Sequence, residues 1–230
     1  GTYTNPNLST LENQSYTDGS RISSNSWGAS SSSYNSDAQT FDKLVRDAQS
    51  GTAGNQEMVV VFAAGNAGSG AGTVGTPGTA KNVITVGASE NVQAFGAADQ
   101  CGTTDVEADS ANDIVAFSSR GPASDGRKKP DIMAPGTHVT GGVWQQSLLD
   151  PAVSANGTAS PTFDATGVCA GPGTSNFFPT GGQQWYTASS GTSHSTPAVA
   201  GAAALVRQWF INHAIAAPSP SASALKPPGS

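Results

Sequence analysis

Hydrophobic positions along this chain are spaced in a way that predicts strands and helices in alternation. Met58 to Ala64 is continuously apolar and rich in β-branched residues, then breaks at Gly65 and presents Asn66. Such a run is the pattern of a parallel strand buried on both faces and ending in a loop. Shorter runs predict strands at Arg21 to Trp27, Val83 to Val86, Ile114 to Phe117 and Asp131 to Met133. Asn7 to Tyr16 reads as a short helix. A second helix over Asp37 to Gln49 places Phe41, Leu44, Val45 and Ala48 on one face. The last helix runs from Ser193 to about His213. From Pro197 to Leu205 it is apolar on every side, as expected of a helix through a core, and Pro197 fits a first turn, where its missing N–H costs little. Strands alternating with helices imply an α/β fold built on a parallel sheet. Residues 214–230, rich in Pro, Ser and Ala, read as a tail or linker.

Composition narrows the function classes. The 230 residues suffice for one sizeable core. A formal charge of −6 gives no support for nucleic acid as a partner, and no apolar run has the length of a membrane span. No charged-then-apolar leader follows Gly1, so any signal or pro-segment lies outside this sequence. The interval from Asn66 to Ser193 is expanded at Asp99 to Asp113 and at Leu148 to Tyr186, and each expansion holds one of the two cysteines. Joining Cys101 to Cys169 would close a loop of about 68 residues for about 4 kcal/mol in the chain-entropy model, while two unpaired thiols are the alternative. The acidic run Asp99, Asp105, Glu107, Asp109, Asp113 lacks an EF-hand pattern and reads as solvated loop charge, with a structural calcium site as the alternative that the pattern does not assign.

Candidate chemistry concentrates at the start of the last helix. Ser193 stands where first-turn N–H groups lack partners and the helix dipole is positive, the environment an acyl-transfer oxyanion needs. A serine N-cap on a buried helix is the plainer alternative. Asn66, at the end of the apolar strand, offers a second oxyanion donor. Arg21 to Gly28 is a short strand whose backbone can pair with an extended peptide.

SNSWG, AAGN, VGTPGTAKNVITVGA, FSSRGP, DIMAPG and GTSHSTPAVAG occur in that order. Together they resemble the subtilisin-like serine proteases over nearly all of residues 21–213, and in wording the alkaline bacterial subtilases that carry a β-sandwich after the catalytic domain. The resemblance implies a subtilisin-like parallel sheet flanked by helices, with Ser193 as nucleophile and Asn66 as oxyanion amide. Ser26, Trp27 and Gly28 would line the substrate strand, Ala63, Ala64 and Gly65 the facing wall, Gly75 the pocket floor, and Thr192 would adjoin the nucleophile. It further implies a polypeptide substrate, secretion, no required cofactor, and a cis peptide bond at Thr76–Pro77. His194 occupies a position where many members carry a methionine.

The triad base is missing from this pattern. The family's D-[ST]-G and H-G-T motifs do not occur, and each of the three histidines has an objection. His194 adjoins Ser193, and neighbours on a helix do not face each other. His213 lies about 30 Å along the same helix. His138, in APGTHVTG, has Pro135 where that motif's catalytic histidine would stand and reads as a structural or surface residue. Residues 1–213 are therefore expected to be a partial catalytic domain that lacks its N-terminal strands, inactive alone, with an N-terminal segment supplying Asp and His. A non-catalytic peptide-binding domain is one alternative. A sedolisin-like acid protease is another, suggested by SGTSHS but opposed by Asn66, because sedolisins are expected to use an aspartic acid there. An amide donates hydrogen bonds at any pH, whereas a carboxyl group does so only when protonated.

Overall fold

The computed structural model describes residues 7–92, 108–142 and 186–213. Through them run α1 (Leu8–Thr17), β1 (Ile22–Asn25), α2 (Ser36–Arg46), β2 (Val59–Ala63), β3 (Ile84–Ser89), β4 (Ile132–Pro135), β5 (Val139–Gly142), β6 (Tyr186–Ser189) and α3 (Thr192–Asn212). The chain forms two compact units. One comprises Gly1–Ala88, Ala116–Ala134 and Gly191–Ser230, and the other Ser89–Val115 and Pro135–Ser190. Cys101, Cys169, Asp99, Asp105, Glu107 and the 214–230 tail lie outside the described residues.

The first unit is built on a sheet of order β1-β2-β3-β4, in which β1 pairs with β2 and β2 with β3 in parallel. All five β2 residues are buried, and both faces of the strand are covered. Val60 and Phe62 pack with Phe41 and Leu44 of α2, while Val59 and Val61 pack with Val86, Ala134 and Ala200 of α3. That two-sided cover is the reason for the unbroken apolar run, each fully buried Val or Phe contributing about 1.5–3 kcal/mol. Helix α2 starts on Asn35, whose side-chain oxygen accepts the Ala38 N–H at 3.0 Å. It stops at Arg46, three residues before the expected end, because Asp47 is extended and the Ala48 N–H turns to the Gln56 carbonyl. Ala48 stays buried nonetheless.

Three expectations need correction. Ile114 to Phe117 is not a strand; Ile114 makes one isolated antiparallel bridge to Ser89. Pro197 stands beyond the first turn of α3, as its sixth residue. Nor is α3 buried all round. Ser195, Thr196 and Ala200 face inward, while Leu205, Val206 and Trp209 are exposed by 74, 53 and 51 %. The helix thus has two apolar faces and packs one of them.

In the second unit, β5 and β6 form an antiparallel pair that hydrophobic spacing did not predict. Glu90 accepts the N–H groups of Asp109 and Ser110, so part of the acidic run is held by backbone contacts. His138 is buried at a φ of 49°, and its N–H donates to the Ser190 hydroxyl. It is therefore structural rather than a surface residue. Thr76–Pro77 is cis, as expected, and so are Gly121–Pro122 and Lys129–Pro130.

Candidate active site

Ligands of open parallel sheets bind beyond the carboxyl ends of the strands, and the candidate residues gather there. At the end of β2, Ala64 donates its N–H to the Val86 carbonyl and accepts that of Gly75, both at 2.9 Å. Gly65 then turns the chain at a φ of +106°. The Ser119 N–H reaches the Gly65 carbonyl at 2.9 Å, and the Ser119 hydroxyl accepts the Ala67 N–H at 3.0 Å. This clamp directs Asn66 at the start of α3.

There the asparagine amide has one orientation. Its Oδ1 accepts the Thr192 N–H at 3.0 Å and the Thr192 hydroxyl at 2.8 Å, an arrangement only the oxygen can make. Nδ2 is therefore turned to the other side, where it lies 3.4 Å from the place a Cβ on Gly191 would occupy. Gly191 has a φ of 154° and caps α3 with no side-chain hydrogen bond, which leaves room beside the first turn. The Ser193 N–H is among the donors that a helix start leaves without an intrahelical acceptor. Asn66 Nδ2 and the Ser193 nitrogen thus approach one point, 3.4 and 3.6 Å from the place of a Cβ on Gly191.

Pro197 contributes through what it lacks. With no N–H at Pro197, the Ser193 carbonyl four residues earlier loses its helical donor. The Ser26 hydroxyl takes that place, donating to the Ser193 oxygen at 2.9 Å. The serine-bearing turn is in this way tied to the segment following β1.

All ten sequence-derived site residues line one cleft of about 380 Å³: Ser26, Trp27, Gly28, Ala63, Ala64, Gly65, Asn66, Gly75, Thr192 and Ser193. Ala29, Ser30, Ala67, Thr73 and Ser119 line it too, although no motif assigned them to the site. FSSRGP does mark the neighbourhood of Ser119. Ala29 is brought in by an antiparallel bridge to Thr76, which a sequence does not display. No lining side chain is charged. Gly75 sits so close to the Ala29 carbonyl that a Cβ would fall 2.5 Å from its oxygen.

The unit that carries Ser193 has two histidines among its described residues, His194 in the first turn of α3 and His213 as its C-cap. His194 is half-buried, and burial holds its imidazole below the usual histidine range. His213 stacks on Trp209 at 4.4 Å and its Nδ1 lies 2.7 Å from the Trp209 carbonyl, at the opposite end of the helix from Ser193. Among the described residues no group of three His, Cys, Asp or Glu side chains is placed to hold a metal ion, and no helix is long and apolar enough to cross a membrane.

Comparison with known proteins agrees with the motifs. The pattern of the subtilase family matches residues 3–220. Serine protease AprX of Bacillus subtilis is 34% identical over 173 residues, 75% of this chain and 30% of that protein. Pyrolysin of Pyrococcus furiosus is 46% identical over 87 residues, 34% of this chain and 6% of that protein. The solved prenylagaramide maturation protease PagA superposes with a TM-score of 0.52 at 20% identity, covering 93% of this chain and 53% of that one. The chain thus spans less than a third of those sequence relatives and about half of that structure.

Proposed function

The chain belongs to the subtilase family, and from that premise we propose that it carries the nucleophile and oxyanion-binding half of a serine endopeptidase site. Ser193 Oγ attacks the scissile carbonyl, forming an acyl-enzyme as the C–N bond breaks and the amine leaves. Asn66 Nδ2 and the Ser193 N–H hold the oxyanion. An Asp and His pair from polypeptide outside this sequence takes the serine proton and passes it to the leaving amine. The extended substrate lies along Ser26 to Gly28, opposite Ala63 to Gly65, with a neutral side chain directed at the uncharged cleft. Export from the cell follows the family's habit.

The observation that carries this reading is the fixed amide of Asn66: its oxygen is consumed by Thr192, so a donor is left for the side where Ser193 lies. An amide in that place also supports subtilisin-type chemistry over the acid chemistry of sedolisins. The exposed apolar stripe of α3 is in keeping with a covering segment from elsewhere.

The second reading, a peptide-binding domain without catalysis, is favoured by the placement of the two histidines of the Ser193-bearing unit: His194 adjoins Ser193 on α3, where neighbours do not face each other, and His213 caps the helix's far end. The two readings separate in one experiment. Fusing whatever the gene encodes ahead of Gly1 yields peptide hydrolysis that Ser193→Ala abolishes, if the chain is half of a protease. Peptide binding with no hydrolysis in that fused protein would make it a binding domain.

A further inference from the structure

Trp27 is a wall of the cleft, and the orientation of its ring is traceable to a residue far from the nucleophile. Its Nε1–H donates to Asn25 Oδ1 at 3.0 Å, Asn25 Nδ2 donates to Ser23 Oγ at 2.9 Å, and Ser23 Oγ donates to Glu12 Oε1 at 2.7 Å. An indole nitrogen is a donor only. Asn25 must therefore present its oxygen to Trp27 and its NH₂ to Ser23. Ser23, having accepted, must send its own proton onward, and Glu12 is the acceptor that ends the chain. Each bond sets the direction of the next.

We propose that Glu12 is a positioning residue for the cleft, fixing through Ser23 and Asn25 the angle at which Trp27 meets a bound peptide. The relay acts on a ring already confined on one side, edge-on to Phe62 at 5.3 Å and tilted against Phe41 at 6.0 Å. Asn25 is buried and Glu12 is only 6 % exposed, so the two ends of the path from Glu12 to Asn25 are shielded from water, while Ser23 between them is half-buried. An acceptor that is also ionisable makes the relay adjustable, since hydrogen bonds to an ionised carboxylate are roughly twice as strong as neutral ones. That Trp27 touches substrate rests on the protease reading; that Glu12 orients Trp27 does not.

Burial raises the Glu12 carboxyl above its ordinary range, and the Ser23 bond acts in the opposite direction. Its Oε2 is buried with no hydrogen-bond partner among the described residues, so burial is not offset at that oxygen. The neighbouring charges are engaged elsewhere. On α1 and the start of β1, Arg21 covers the Tyr16 ring and donates to the Tyr16 and Ser20 carbonyls, while Asp18 accepts from Gln14. On α2, Arg46 pairs with Glu57, Asp42 accepts from Tyr34, Lys43 is exposed and Asp37 lies in the first turn.

The test reads the Trp27 indole directly. In ¹⁵N-labelled chain, the Trp27 Nε1–H signal, assigned by its loss in Trp27→Phe, is followed from pH 4 to pH 8. The relay predicts a single titration with a midpoint above the ordinary glutamate value. It predicts no titration in Glu12→Gln, which keeps an acceptor but not the charge, and none in Ser23→Ala, which keeps Glu12 but cuts the path. With acetyl-Ala-Ala-Pro-Phe-amide as the probe peptide, Glu12→Leu weakens binding several-fold and Glu12→Gln does not. A Trp27 signal that fails to move in the unaltered chain, or still moves in either variant, overturns the proposal. So does a Glu12→Leu chain that melts earlier but leaves the Trp27 signal and peptide affinity unchanged. If Trp27 titrates as stated and the chain fused to the polypeptide encoded ahead of Gly1 neither binds nor cleaves the peptide, the relay stands and the protease reading falls.

Discussion

Replacing Gly75 by alanine tests how tightly the floor of the cleft is closed. The new Cβ would lie 2.5 Å from the Ala29 carbonyl oxygen and 3.5 Å from its carbon, whereas ordinary contact begins near 3.4 Å. The obstacle is backbone, with no rotamer to yield. Relief requires separating the segments joined by the Ala29 N–H to Thr76 carbonyl and Thr76 N–H to Ser31 carbonyl bonds, both 2.8 Å. Loss of two such bonds costs about 1 kcal/mol each and overpacking about 1–3 kcal/mol more, so the expected destabilisation is about 3–5 kcal/mol. Gly201→Ala is the control. A Cβ there meets open space within α3, and removing a helical glycine gains about 0.5–1 kcal/mol. Urea unfolding followed by circular dichroism reads both, each as a shift of midpoint at unchanged slope. The two variants should move in opposite directions. A Gly75→Ala chain within about 0.5 kcal/mol of the unaltered protein, the range of an inconsequential surface change, would refute the claimed contact between Gly75 and Ala29.

In the complete enzyme, Asn66→Ala should lower turnover by about 10²–10³-fold with little change in KM, a magnitude known from a subtilisin and carried over from it; unchanged turnover removes Asn66 from the oxyanion hole. Glu12 carries a signed dependence of stability on pH. Because its folded pKa is raised, it favours folding below the unfolded value near 4.5, and that contribution is lost as pH rises through the folded value. Melting temperatures of Glu12→Gln relative to the unaltered chain should therefore be higher at pH 7.5 than at pH 4, and the reverse order contradicts the assignment. His194 offers no thioether beside the nucleophile, so peroxide should inactivate the complete enzyme more slowly than its His194→Met variant; equal rates of activity loss would show that residue 194 does not govern the sensitivity.

Sequence and structure agree where local pattern and burial coincide. Val59 to Ala63 is apolar on successive residues because both faces of β2 are covered, and a half-exposed strand would have alternated instead. The Ser193 and Asn66 motifs come together because each ends or begins an element whose limits the chain marks plainly, at Gly65 and Gly191. Elsewhere the pattern was ambiguous. An apolar periphery on α3 signals a demand for burial but not which face is met, and Leu205, Val206 and Trp209 remain exposed. Glu12 stands among polar neighbours in LENQS and gives no local sign of burial, and its partner, the Ser23 hydroxyl, is brought over by β1. Ala29 and Ile114 make single bridges to distant Thr76 and Ser89, pairings that no periodicity encodes. Pro197 was legible as a helix-start residue, but its effect on the Ser193 carbonyl emerges only once Ser26 is seen beside it.

Covalent labelling decides whether Ser193 is a nucleophile awaiting a base from outside this sequence. A serine-directed aryl phosphonate is added to the 230-residue chain and to the same chain fused to the polypeptide encoded ahead of Gly1, and modification of Ser193 is timed by mass spectrometry. Loss of the catalytic histidine in a subtilisin lowers turnover by about 2 × 10⁶-fold. Ser193 in the chain alone should react no faster than its other serines, and in the fused protein it should be the serine modified, at a rate typical of a protease. Rapid labelling of Ser193 in the chain alone would mean that a base lies within these residues, and a fused protein that leaves Ser193 unmodified would contradict its role as nucleophile.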